Sequence, residues 1–201
     1  MQVEGLSVAR GGRVVLEGVG FALGPGEALV LRGPNGVGKT SLLRVLAGLA
    51  PPVAGRIEGA EGAAYASHRD GVKPTLTVAE TLAFWARLHG RDVGPQVPAE
   101  FGLEGLERRM GGTLSAGQAR RLGLARLAVT GARVLLLDEP TVSLDAASVA
   151  RFGGWLGRFL EDGGRAVLAT HIDLGLDAPV LELGHFRARE TAVGGSDEAF
   201  L

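Results

Sequence analysis

The sequence has no cysteine, which excludes disulfides, thiolate zinc sites and a cysteine nucleophile and allows a reducing compartment. It is 46% hydrophobic, yet no apolar run approaches the roughly 18 to 20 residues that a membrane-spanning helix requires. The chain is therefore not expected to cross a bilayer by itself. Excess charge is missing too: a formal net charge of −1 offers no electrostatic footprint for nucleic acid. The N-terminal stretch lacks the charged-then-apolar order of a signal peptide, and the protein is expected to remain where it is made. Lysine is scarce, with only Lys39 and Lys73 against nineteen arginines.

Glycine is abundant, at 33 of 201 residues. With nine prolines it stays below the level that signals disorder. No repeat or heptad run is present, and the length suits one domain over residues 1–201.

Short β-like runs cover residues 3–9, the region of 21–23, and Ala28–Arg32, the last ending in a glycine-rich turn. Ser41, Leu42, Leu43, Val45 and Leu46 recur at helical spacing until Gly48, Pro51 and Pro52 stop the helix. Residues 56–67 form a second β section. Thr77 and Glu80 have the spacing of a capping box, and Val78, Leu82, Trp85 and Leu88 follow as one apolar stripe ending at Gly90. Residues 91–113, rich in glycine and proline, resist assignment. Helices are expected at 116–129 and 146–160, and the apolar runs 133–137 and 166–170 read as strands covered on both faces. Strand and helix alternate as in a parallel α/β sheet, with a helical insertion at about 68–130.

Residues 33–40 read GPNGVGKT, a match to GxxxxGK(S/T) between a strand and a helix. With so few lysines, a chance match has a probability on the order of 0.4% over the chain, so a plain glycine turn is the weaker reading. Gly33, Gly36 and Gly38 let backbone N–H groups converge on phosphate oxygens, with Pro34, Asn35 and Val37 completing the loop. The helix behind adds about half a positive charge at its N-terminus. Lys39 is expected to reach the β- and γ-phosphates, Thr40 to offer its hydroxyl to Mg²⁺, and Ser41 to donate to a phosphate oxygen.

A second constellation starts with Asp138 and Glu139 at the end of an apolar strand, where open α/β sheets bind ligands. Side chains alternate along a strand, so the two carboxylates are expected to point different ways and divide the work. Asp138 holds Mg²⁺ through water while Glu139 orients and deprotonates the attacking water. His171, after the neighbouring strand, is a candidate for the γ-phosphate or its water. Asp145 reads equally well as a helix N-cap.

Residues 114–118, LSAGQ, begin another helix. Ser115 and Gln118 satisfy a capping box, but a cap alone does not require Gly117. A serine hydroxyl, a glycine amide and a helix N-terminus also make an anion site. Two such ends in one chain point to a nucleotide site shared between two copies.

Taken together, GPNGVGKT, LSAGQ, VLLLDEP, SLD and His171 resemble the ATP-binding-cassette (ABC) ATPase family over nearly the whole chain. The resemblance implies an α/β P-loop NTPase fold with a mainly parallel core sheet, an N-terminal antiparallel β section and a helical insertion. It implies Mg-ATP hydrolysis coupled to transport, and a homodimer in which each ATP lies between the 33–41 loop of one chain and the Ser115, Gly117 and Gln118 segment of the other. Two positions depart from the family pattern. Arg10 stands where an aromatic residue usually stacks on adenine, and a guanidinium stacks as well. His68 stands where a glutamine usually contacts Mg²⁺ and the membrane partner; its reach is shorter and it titrates near neutral pH. The stretches YASHRDGVKPTLTVAETLAFWARLHG and HIDLGL are similar to the ATPase subunits of bacterial cytochrome c maturation, the haem-exporter type. That similarity implies small integral membrane partners, a peripheral place on the cytoplasmic face of the inner membrane, and a role in releasing a haem-loaded chaperone complex. Docking is expected near His68 and the insertion, with Phe84 exposed and Trp85 better read as core. A cassette for another transported substrate, a soluble ABC-type regulator and a non-hydrolysing scaffold are the alternatives.

Overall fold

The computed structural model describes residues 1–67 and 69–188. His68 and the 191–201 tail lie outside the described residues.

Five strands form a parallel sheet: β3 (Ala28–Arg32), β5 (Ala64–Ala66), β6 (Val134–Asp138), β7 (Arg165–Ala169) and β8 (Val180–Glu182), in the order β5-β6-β7-β3-β8. A separate antiparallel sheet holds β1 (Gln2–Arg10), β2 (Arg13–Ala22) and β4 (Ala54–Glu58), in the order β2-β1-β4. The helices are α1 (Lys39–Leu46), α2 (Val78–Leu88), α3 (Val97–Glu100), α4 (Ala116–Thr130) and α5 (Ala146–Glu161). Between β5 and β6 the chain runs through α2, α3 and α4.

The parallel sheet divides the core into two layers. On β6, Leu135 and Leu137 pack with α2, α4 and α5, while Val134 and Leu136 pack with α1 and the antiparallel sheet. On β7, Ala166 and Leu168 face the first layer and Val167 and Ala169 the second. All five residues of β6 are buried, as a strand covered on both faces demands. Because β7 lies between β3 and β6, the segments that follow all three strands converge on one edge of the sheet.

Several expectations need correction. The β-like region near 21–23 is the end of a strand that begins at Arg13, and Leu23 falls outside it. Gly11 and Gly12, both with positive φ, form the two-residue turn that pairs β2 with β1. Residues 56–67 are not one β section: β4 joins the antiparallel sheet and β5 the edge of the parallel one. Thr77 and Glu80 do form a reciprocal capping box. Leu88, however, is 61% exposed, because the buried stripe of α2 runs through Val78, Thr81, Leu82 and Ala86. The unassigned 91–113 segment holds α3 and a 3-10 turn at Gly111–Thr113.

Candidate nucleotide-binding site

After β3 the chain turns through residues 33–38 before α1 begins at Lys39. Gly33, Gly36 and Gly38 have φ of 141°, 83° and 124°. Gly38 meets a second constraint, since a Cβ there would stand 2.9 Å from Leu16 Cγ and Cδ1; only glycine satisfies both. It is also the N-cap of α1 and supplies no side-chain cap, so the first-turn N–H groups stay available to an anion. Lys39 is largely buried, and its Nζ donates to Gly33 O at 2.8 Å, folding the ammonium over the loop. Val37 turns into the core behind it.

The loop opens on a cleft of about 640 Å³. Asn35, Gly36, Gly38, Lys39, Thr40 and Ser41 line it, and so do Asp138 and Glu139. Arg10, at the end of β1, lines the same cleft, whereas Gly33, Pro34 and Val37 shape the loop from outside the lining. Arg44, which no motif in the sequence marks, also lines the cleft. Its signal was present, since it lies one helical turn after Thr40 and so shares that face.

Asp138 is the last residue of β6 and is buried. Its Oδ2 accepts a hydrogen bond from the Tyr65 hydroxyl at 3.2 Å. Burial, then the charge of Asp138 and this hydrogen bond, push the Tyr65 phenol up to about 12. Glu139 corrects the alternation argument. The strand has ended before it, its φ is +48°, and Glu139 lines the same cleft as Asp138. His171 follows β7, and its Nε2 lies 3.6 Å from Glu139 Oε1, beyond hydrogen-bonding range. Asp145 is the N-cap of α5, accepting from Ser148 N at 2.7 Å; that bond holds its carboxyl below the ordinary range.

The cleft suits a Mg-nucleotide. Mg²⁺ is commonly bound by one or two carboxylates together with substrate phosphates and water. Asp138 and Thr40 line one cleft with a phosphate-type loop. Among the described residues no trio of His, Cys, Asp or Glu gathers to hold a metal by itself.

Ser115, Gly117 and Gln118 are not part of this cleft. Ser115 Oγ accepts from Gln118 N at 3.2 Å, and Gln118 Oε1 accepts from Ser115 N at 2.9 Å, closing the capping box on an exposed helix end. Gly117 has a reason within the chain, since a Cβ there would stand 3.1 Å from Ser143 O.

A glycine-rich loop, an uncapped helix N-terminus and a strand-end carboxylate around one cleft define a P-loop nucleotide-binding protein of the α/β class. The ABC transporter family model matches residues 16–142, and the chain belongs to that family. It is 58% identical over 203 residues to the cytochrome c biogenesis ATP-binding export protein CcmA of Ruegeria pomeroyi, covering 100% of this chain and 99% of that protein. It is 45% identical to the protein of the same name from Paramagnetospirillum magneticum, covering 93% and 95%. Among solved structures, an ABC transporter ATP-binding protein from Pyrococcus furiosus superposes with a TM-score of 0.81 at 24% identity, covering 93% of this chain and 98% of that one. A dimeric bacterial ABC transporter cassette superposes at 0.75 and 20% identity, covering 91% and 94%. These two structures speak for the fold, and the family and subfamily resemblances in the sequence are both met.

Proposed function

We propose that the chain is the Mg-ATP-hydrolysing subunit of a membrane ABC complex in cytochrome c biogenesis, driving haem export or release of a haem-loaded chaperone. The observation that carries this reading is one cleft shared by the phosphate-type loop, Asp138 and Glu139. The similarity to CcmA proteins supports the pathway.

In this reading the amides of the 33–38 loop and the α1 N-terminus hold the phosphates, and Lys39 leaves Gly33 O to reach them. Ser41 donates to a phosphate oxygen and Arg10 stacks on adenine. Thr40 and Asp138 would hold Mg²⁺, with Tyr65 fixing one carboxylate oxygen of Asp138. Bound Mg²⁺ would neutralise charge on the β- and γ-phosphates. Glu139 takes a proton from the attacking water, and His171 contacts the γ-phosphate or that water. Ser115, Gly117 and Gln118 complete the site of a second copy, making an ATP-sandwiched homodimer.

The whole chain works as one cassette, with the helical segment of residues about 68–130 facing small integral membrane subunits at the cytoplasmic face of the inner membrane. No helix among the described residues is long and apolar enough to cross a membrane, and Phe84 is exposed on α2.

Glu139→Gln tests the reading. It should keep ATP affinity within about twofold, slow hydrolysis by at least about 100-fold and accumulate an ATP-bound dimer, followed by light scattering. Hydrolysis at the wild-type rate would remove Glu139 from the role of base.

A further inference from the structure

Arg120, on α4, is 3% exposed and lies outside the cleft. Its guanidinium makes four hydrogen bonds to two separate loops. Nε donates to Pro140 O at 2.8 Å and Nη2 to Glu139 O at 2.6 Å. Nη1 donates to Ser67 O at 2.7 Å and to Asp70 Oδ1 at 2.9 Å. One side chain thereby joins the loop after β5, the loop after β6 and the helix that starts at Ser115. The helix comes close enough because residue 123 is glycine: a Cβ there would stand 3.0 Å from Asp70 O and Cβ.

What Arg120 grips matters more than how many bonds it makes. Glu139 sits in the left-handed region at φ +48°, a conformation a non-glycine residue holds only when its surroundings impose it. Its N–H donates to Ala169 O at 2.8 Å, and its C=O accepts from Arg120. The backbone of Glu139 is therefore pinned on both sides where the residue lines the cleft, with its carboxylate oxygen Oε1 3.6 Å from His171 Nε2. Lysine offers a point charge at this position and not the planar fork that reaches two loops.

We propose that Arg120 is a positioning residue for hydrolysis, holding Glu139 in its left-handed conformation and linking that conformation to Ser67 and Asp70. This rests on the hydrolytic reading above. A purely structural arginine would, when changed, depress binding and turnover together. A positioning arginine depresses turnover alone.

The test compares the full wild-type chain with Arg120→Lys, Glu139→Gln and the double variant, measuring ADP affinity by calorimetry and Mg-ATP hydrolysis. Arg120→Lys should leave ADP affinity within about twofold and KM within about threefold while kcat falls roughly 10- to 100-fold. On the Glu139→Gln background it should add no further loss, because both changes disable the same group. Unchanged kcat in Arg120→Lys, an ADP affinity that falls as far as kcat, or multiplying losses in the double variant would each overturn the positioning role. Asp70→Asn keeps the comparison open if Arg120→Lys does not fold. It frees only one Nη1 bond and should lower kcat about two- to fivefold at unchanged ADP affinity, and wild-type kcat would count against the role. Hydrolysis absent from the wild-type chain overturns the hydrolytic reading and this proposal together, whereas wild-type hydrolysis with an unaffected Arg120→Lys overturns this proposal alone.

Discussion

The two glycine-bearing helix N-termini of this chain look alike in sequence and differ in structure. At α1 the N-cap is Gly38, with no side chain to satisfy the first-turn amides, and Lys39, Thr40, Asp138 and Glu139 share its cleft. At α4 the first turn is closed on itself by Ser115 and Gln118, and these residues do not line that cleft. One terminus already has a lysine and two carboxylates beside it. The other has its own cap, and in the dimer reading gains its anion only from a second copy.

The sharpest way to break that comparison is to disable each end in a different chain. Lys39→Ala and Gly117→Asp should each abolish hydrolysis alone. Mixed in equal amounts they should recover roughly a quarter of the wild-type rate, since about half of the dimers carry one intact composite site of two. No recovery on mixing would sink the shared site.

A smaller effect separates capping from binding at α4. Ser115→Ala removes a cap worth about 1 kcal/mol and should lower Tm by about 2 to 4 °C. Thr77→Ala removes the equivalent cap on α2 and should cost a similar amount while leaving hydrolysis unchanged. If Ser115→Ala also leaves hydrolysis unchanged, Ser115 is a cap and nothing more.

The smallest signal concerns the α1 side of the comparison. The fold favours the neutral Tyr65 phenol, whose pKa is pushed up to about 12 from its ordinary value of 10.0. Its contribution to stability is therefore full below pH 10 and lost as pH rises through about 12. Tyr65 is the only tyrosine, so tyrosinate absorbance follows it alone. Asp138→Asn should bring the midpoint part of the way back, because burial remains after the charge is gone. An unmoved midpoint would show that the charge of Asp138 contributes nothing.

Much of this site was legible because its chemistry is local. The phosphate-type loop needs particular residues within eight consecutive positions, and the capping boxes at Thr77 and Ser115 need four. Other features were misread for want of a partner. Gly11 and Gly12 carry a hairpin signal, but most of β2 has no regular alternation, because its inward residues are spaced by bulges in the β1 register. Leu88 fits an apolar stripe, yet α4 covers a slightly different face of α2, and Leu88 projects beyond the contact. The separation of β4 from β5 depends on which neighbour each strand finds, which no residue in 54–66 specifies by itself.

The phosphate loop, the helix starts and the family are readable from contiguous residues, because the backbone needs of each are met locally. Only the tertiary structure decided the direction of Glu139, the Tyr65 partner of Asp138 and the grip of Arg120 on two loops. Tyr65 and Asp138 are 73 residues apart in the chain, and Arg120 reaches acceptors 19 to 53 residues away. Hydrogen bonds of that span exist only after β5, β6 and α4 have packed, and an alternating strand pattern cannot foresee a residue turned to positive φ just past the strand's end.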